Sequence, residues 1–376
     1  MNQPDKIPTK HRLVSGPKAS LPATRKQLLQ QARFEIARNP DIYGMLQTLA
    51  ALTISTGPVS NDDTFNEYAE RISLTNLLYQ SRIAKARDGE IFWLLVERDG
   101  EIIPIPIESD QVTNYSLTAL DNNHDGVIVN EFGEPIEYQI LEKHPESLLP
   151  SYDIITIPAS NMLRYQNLTR TSQVRGITEL QPALPYISLL SRLTEAAVKS
   201  AEIVASLTGA LKSDVVPGSE QLVAEPFEKI EIPHGGLLAL PAGWELQTFP
   251  MSNRSTDFTE IRTQLLKSIG RVFGLPANLA LGDSSNYNFS SAKLDHLLFR
   301  ELVKRERRLI EKNLLVPLFF AVRFNRVING QTITPQFRWP NAEIIDMETE
   351  IEIIERAINL GLTTVEQERE RFQQSR

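Results

Sequence analysis

Apolar positions recur with helical spacing most clearly between Arg254 and Phe320. Phe258, Ile261, Leu265, Ile269 and Val272 follow one another at steps of three and four, which predicts a helix with one buried face. Asp257, with Glu260 three residues on, has the spacing of a capping box at its start, and Gly274 followed by Pro276 predicts its end. The periodicity then lapses over Leu281–Phe289, which is polar and almost uncharged. Ser290 or Ser291 is placed to cap a second, longer helix. On that helix Leu294, Leu298, Leu302 and Leu309 line one side, with Leu294, Leu298 and Leu302 expected to be buried, and Lys293, Arg300, Lys304 and Arg307 line another. A loop of about ten residues between two helices is usually either functional or disordered.

The remainder of the chain mixes both periods. A helix is predicted from Thr24, a second from about Pro40 to the Gly57-Pro58 break, and more helix over 64–88, with Phe65, Tyr68, Ile72, Leu77 and Ile83 as core candidates. Glu90–Glu97 is aromatic and β-branched, and Asp99-Gly100 turns it back into Ile102–Ile107 as a hairpin. Val127–Val129 and Glu137–Leu141 form a second predicted hairpin, and Ile155–Pro158 and Asn161–Tyr165 read as strands. A long helix is predicted over Ile177–Leu207, with Leu180, Leu184, Ile187, Leu190, Leu193 and Ala197 inward. Prolines then divide 210–252 into short strands at 229–232, 236–240 and 244–249. The end, from Glu343 to Glu355, is acidic with Ile344, Ile351, Ile354 and Ile358 at helical spacing.

The run from Ile269 to Ala292, Ile-Gly-Arg-Val-Phe-Gly-Leu-Pro-Ala-Asn-Leu-Ala-Leu-Gly-Asp-Ser-Ser-Asn-Tyr-Asn-Phe-Ser-Ser-Ala, closely resembles the lambda-type family of bacteriophage portal proteins. The likeness continues, in order, at Ala32–Pro40, at Gly126, Asn130, Gly133, Pro135, Tyr138 and Ile140, at Gln173-Val-Arg-Gly176, and from Trp339 to Gly361-Leu-Thr-Thr364.

The resemblance implies an α+β portal-like fold. Its parts would be a disordered basic tail (1–22), a wing of helices and antiparallel strands (23–175), a first stem helix (176–209), a β-rich clip (210–253) and a second stem helix (254–275). A tunnel loop (276–290), a long helix returning to the wing (291–340) and an acidic helical end with little or no crown (341–376) complete it. The implied function is a ring, usually of twelve subunits, at one capsid vertex, through which double-stranded DNA is packaged and ejected. The implied partners are further copies of the chain, the terminase motor, capsid or scaffold proteins and a head–tail adaptor, and the location is the virion after assembly in the host cytoplasm. Asp283, Ser284, Ser285, Asn286, Tyr287, Asn288 and Phe289 become the DNA-facing loop candidates. Lys293, Arg300, Lys304 and Arg307 would face either DNA or acidic groups of a neighbouring subunit, such as Glu260 or the C-terminal acidic run.

Composition narrows the alternatives. The 376 residues carry 41% hydrophobic and 23% charged side chains, ordinary for a folded protein, and no cysteine, so disulfides and thiolate-held metals are excluded. No signal-type or bilayer-length apolar run occurs, so no membrane partner is expected. A net charge of −8 argues against gripping nucleic acid over the whole surface, as a conduit for sliding DNA should not. No phosphate-loop motif is present, and the five histidines fall at neither metal-pair nor triad spacing. Asp121–Gly126 opens like a calcium loop, but its twelfth position is Phe132 and strands flank it, so an Asx turn is the better reading. Gly282-Asp283-Ser284 resembles the first block of a family of esterases, but it follows a helix beyond mid-chain, and its nearest histidine, His296, lies on the next helix. Neither an enzyme nor a cofactor is expected. Another head–tail structural protein, and more remotely a hydrolase of that serine type, are the alternatives.

Overall fold

The computed structural model describes residues 22–114, 122–148, 153–171, 173–206, 210–213, 244–247, 254–285, 289–324, 334–340, 347–366 and 368–369. The chain divides into two compact units, one formed by Met1–Ile187 with Leu266–Arg376 and the other by Ser188–Leu265.

The first unit opens with α1 (Pro22–Arg38) and α2 (Pro40–Ile54). Asn39 between them explains the Arg-Asn-Pro signature. Its side chain caps α2 by accepting from the N–H groups of Asp41 and Ile42, and Pro40 occupies the first helical position, where a missing N–H costs least. After β1 (Val59–Ser60), the helix expected over 64–88 proves to be two, α3 (Asp63–Arg71) and α4 (Leu74–Asp88). They are separated at Ser73, whose φ of 53° is incompatible with a continuous helix. Gly89 closes α4 in the left-handed region.

The strands then arrive largely where the alternation placed them. They are β2 (Glu90–Arg98), β3 (Glu101–Glu108), β4 (Asn123–His124), β5 (Val127–Val129), β6 (Pro135–Leu141), β7 (Ile154–Pro158) and β8 (Met162–Gln166). Among the described residues they form two antiparallel sheets, ordered β3-β2-β8 and β4-β5-β6-β7. Strand β2 is central because both its faces are apolar and each enters a different core. Trp93 packs with Phe65, Leu78, Tyr165, Leu314 and Phe319 below the helices, and Phe92 packs with Ile107, Val127, Tyr138, Ile140 and Met162 between the sheets. Gly126 N–H donates to Asn123 Oδ1 at 2.9 Å, the Asx turn expected in place of a calcium loop.

The first long helix departs from expectation. It is α5 (Leu184–Ser206), beginning seven residues after Ile177. Residues 177–183 are instead a turn-rich segment held against α4, where Thr178 Oγ1 donates to Ala86 O at 3.0 Å and Leu180 is fully buried. Pro182 and Pro185 favour this arrangement, since neither can donate to a preceding turn. In the second unit α5 continues, β9 (Ala210–Ser213) pairs antiparallel with β10 (Trp244–Gln247), and α6 (Arg254–Val272) begins three residues before Asp257. The strands expected at 229–232 and 236–240 lie outside the described residues.

Beyond α6 come α7 (Ala277–Leu281) and α8 (Phe289–Ile310). A π-helical turn, Glu311–Leu315, joins α8 directly to α9 (Val316–Phe324). Pro317 is accommodated inside this helical run, and the widened turn before it is a recognised way to absorb proline's clash and missing hydrogen bond. Finally β11 (Phe337–Arg338) pairs with β1, and α10 (Met347–Asn359) ends near Gly361.

Candidate functional site: the loop and the long helix

The loop region is built on close approach. Gly274, with φ of 68°, ends α6, and Leu302 of α8 lies where a Cβ at 274 would sit; Ala280 Cβ likewise fills the space above Gly270. These two glycines let α7 and α8 lie against the end of α6, which accounts for the Gly-Arg-Val-Phe-Gly-Leu-Pro run. The expected loop over 276–290 is thus shortened from both ends by helix. α7 occupies its first residues, and α8 starts at Phe289 rather than at Ser290 or Ser291. Gly282 caps α7 in the left-handed region, and Asp283 N–H donates to Asn278 O at 3.1 Å.

Of the loop candidates, Asp283, Ser284 and Ser285 are exposed, Phe289 is the first residue of α8, and Asn286, Tyr287 and Asn288 lie outside the described residues. Asp283 Oδ1 accepts from Ser285 N–H at 2.8 Å, and that bond lowers the carboxyl's pKa below its ordinary value. The aspartate therefore organises its own turn. His296 contacts Asn278 Nδ2 at 3.3 Å, and burial, helped by Arg300, lowers its pKa. Its described ring contact is to Asn278 rather than to Ser284, so a serine–histidine pair finds no support here.

The face expected to be buried on α8 is not buried. Leu294, Leu298 and Leu302 are 62%, 62% and 44% exposed, while Phe299 and Ile310 are buried. The periodicity was right, but the buried Phe299 and Ile310 lie to one side of the leucines, and spacing alone cannot tell which side meets the core. On α6 the expectation holds for Ile269, which is buried, but Leu266 is buried where Leu265 was expected, Leu265 and Val272 are only partly buried, and Ile261 is half exposed.

Charged side chains fix the far half of α8 to α4 and β8. Glu306 Oε1 accepts from Lys85 Nζ at 2.5 Å and from the Tyr165 hydroxyl. Burial, reinforced by Glu306, raises Tyr165 well above its ordinary pKa, keeping it a neutral donor. Lys85 also meets Glu179 at 2.9 Å, and Arg82 holds Glu179 through two bonds of 3.0 and 3.2 Å. Burial pushes the Glu179 carboxyl up, but Arg82 and Lys85 outweigh it and bring the group to about 2. The four basic candidates have different fates. Arg300 is exposed, and Lys304 is exposed and paired with Glu301 at 2.7 Å; the Lys293 side chain is outside the described residues. Arg307, expected to face DNA or a neighbour, is instead tied within its own subunit. It donates to Thr53 O at 2.8 Å and Pro340 O at 3.0 Å and lies over the Trp339 ring.

A second buried cluster explains Gln173-Val-Arg-Gly176. Arg175 donates to Glu90, to the carbonyls of Val112 and Ser109, and to the Asp125 carbonyl, while Arg25 reaches Asp125 Oδ2 at 2.5 Å. Against the cost of burial, Arg175 and Arg25 lower Asp125 to about 2 and lower Glu90 as well. Gly176 is required beside it, because a Cβ there would overlap Gly89 O. Sequence reasoning missed Arg25, Glu90, Glu179 and Glu306. Of these, Glu90 alone carried a local signal, a charge opening the apolar run Ile-Phe-Trp.

Among the described residues one group has metal-ligand character, Glu108, Asp110 and His144. Arg33 lies 3.0 Å from Glu108 and 2.6 Å from Asp110, already supplying the positive charge.

The family model for phage portal protein, lambda family, matches residues 58–307, more than half of the chain. The chain belongs to this family. Solved structures share the fold. A chain in the neck of a native GTA particle, computed with C12 symmetry, has a TM-score of 0.59 at 14% identity, covering 95% of this chain and 93% of that one. A chain from the virion of a native gene transfer agent particle has a TM-score of 0.57 at 13% identity, covering 92% and 90%. A further neck chain, from an empty GTA particle computed with C6 symmetry, has a TM-score of 0.58 at 13% identity, with 92% and 90% covered. No curated protein matches. Membership agrees with the likeness read from Ile269–Ala292, and the mixed helix-and-strand architecture agrees with the α+β expectation. No described helix is long and apolar enough to cross a membrane.

Proposed function

We propose that this portal-family chain forms a ring, of twelve subunits, at one capsid vertex and serves as the conduit for double-stranded DNA during packaging and ejection. The family match over 58–307 carries the reading, and the C12 and C6 symmetries of the structurally similar necks support a ring. Its partners are the terminase motor, capsid or scaffold proteins and a head–tail adaptor, and its place is the virion. The loop from Asp283 to Phe289 lines the channel. It carries one charged residue, and Asp283 spends an oxygen on Ser285 N–H, so the loop meets DNA without a set of phosphate pairings. The chain acts as a structural component, with no catalytic role.

Negative-stain imaging of the purified chain should show annular particles with a central hole. Ser285→Lys with Asn288→Lys should then make the rings retain DNA more tightly, with a steeper salt dependence, and slow packaging. Full-length packaging at the normal rate, with no added DNA retention at low salt, would remove the loop from the channel.

A further inference from the structure

The long helix leaves an apolar stripe uncovered. At about 100° per residue, Leu294, Leu297, Leu298 and Leu302 of α8 fall on one strip, and they are 62%, 52%, 62% and 44% exposed. The helix cannot rotate to hide them, because its other side is committed. Phe299 and Ile310 are buried, Glu306 is held by Lys85 and Tyr165, and Arg307 by Thr53 and Pro340. Leu302 marks the inner edge of the stripe, since it packs over Gly274 of its own chain. DNA does not suit this surface, as leucines offer phosphates no partner.

A second exposed apolar surface lies at the other end of the chain. Leu360, Leu362 and Val365, after α10, are 73%, 76% and 48% exposed. The two surfaces differ in the charges around them. Exposed Arg300, Lys304, Arg305 and Arg308 outnumber Asp295 and Glu301 beside the leucines of α8, whereas the C-terminal group, with Glu355, Arg356, Glu366 and Arg369 exposed around it, follows a run with no base between Arg338 and Arg356. A ring closed by rotation needs two different, complementary patches on each subunit.

Resting on the ring reading above, we infer that the α8 leucine stripe is a subunit–subunit contact, covered in the assembly by the acidic, apolar C-terminal segment of a second copy of this chain. The basic row beside the stripe then meets carboxylates of the neighbour rather than phosphates.

The absence of cysteine makes the test direct. Wild-type chain, a Leu297→Gln/Leu298→Gln variant and a Leu298→Cys/Leu362→Cys variant are purified, and each is examined by mass photometry and far-ultraviolet circular dichroism. The glutamine variant should keep its helical signal, since both residues are exposed in the subunit, but lose the ring. The cysteine variant, treated with a short bismaleimide, should give a covalent ladder of multimers. Rings that persist in the glutamine variant, or a cysteine variant that forms rings without a ladder, would overturn the inference while leaving the ring reading intact. A wild-type chain that forms no ring would defeat both. If the glutamine variant loses its fold, the ladder alone decides.

Discussion

Replacing Glu179 by glutamine probes the charge cluster that joins the 177–183 segment to α4, and through Lys85 to Glu306 of α8. The carboxylate is buried and accepts from Arg82 and Lys85, with its folded pKa near 2 against an ordinary 4.5. Each unit is about 1.4 kcal/mol, so the ionised pair contributes on the order of 3 kcal/mol. Breaking a buried pair by removing one partner costs about 3–5 kcal/mol, because the other charge is left without compensation. Here Lys85 keeps Glu306 and the glutamine carbonyl still accepts one bond, but Arg82 loses its ionic partner and one of its two bonds, so the lower end of that range, about 3 kcal/mol at pH 7, is expected. The sign with pH follows from the depressed pKa. The contribution is complete above about pH 4.5 and is lost as pH falls towards 2, so the gap between wild type and Glu179→Gln should narrow across that interval. Urea unfolding followed by tryptophan fluorescence would measure it, since Trp93 lies in the core that α4 covers. A gap under about 1 kcal/mol at neutral pH, or one that stays constant between pH 5 and 2.5, would refute the account.

Gly176→Ala should cost about 1–3 kcal/mol, because its Cβ meets backbone, not a yielding side chain, and a thermal melt would detect the loss. Phe299→Ala should cost about 3–5 kcal/mol, whereas Leu298→Ala should leave the isolated subunit within about 0.5 kcal/mol; equal denaturation midpoints for the two would show that the buried side of α8 has been misassigned.

Local chemistry made much of this chain legible without its structure. Asn39-Pro40, Asp99-Gly100 and Asn123–Gly126 each specify a turn or cap through their own backbone geometry, so the α2 start and the hairpins stood where expected. The family likeness was legible for a related reason: Gly176 faces the Gly89 backbone, Gly270 lies against the Ala280 side chain and Gly274 has a positive φ, so a larger residue is disfavoured at each. What periodicity could not give was the side of a helix that meets the core. Leucine at 294, 298 and 302 satisfies the helical repeat whether the partner is the same chain or another, and only the packing of Phe299 and Ile310 settled it. The charged clusters were hidden for a different reason. Arg25 with Asp125, Glu90 with Arg175, and Glu306 with Lys85 are each separated by 85 residues or more. Their burial is tolerable only when the partners arrive together, a condition set by the tertiary fold and carried by no local run of sequence.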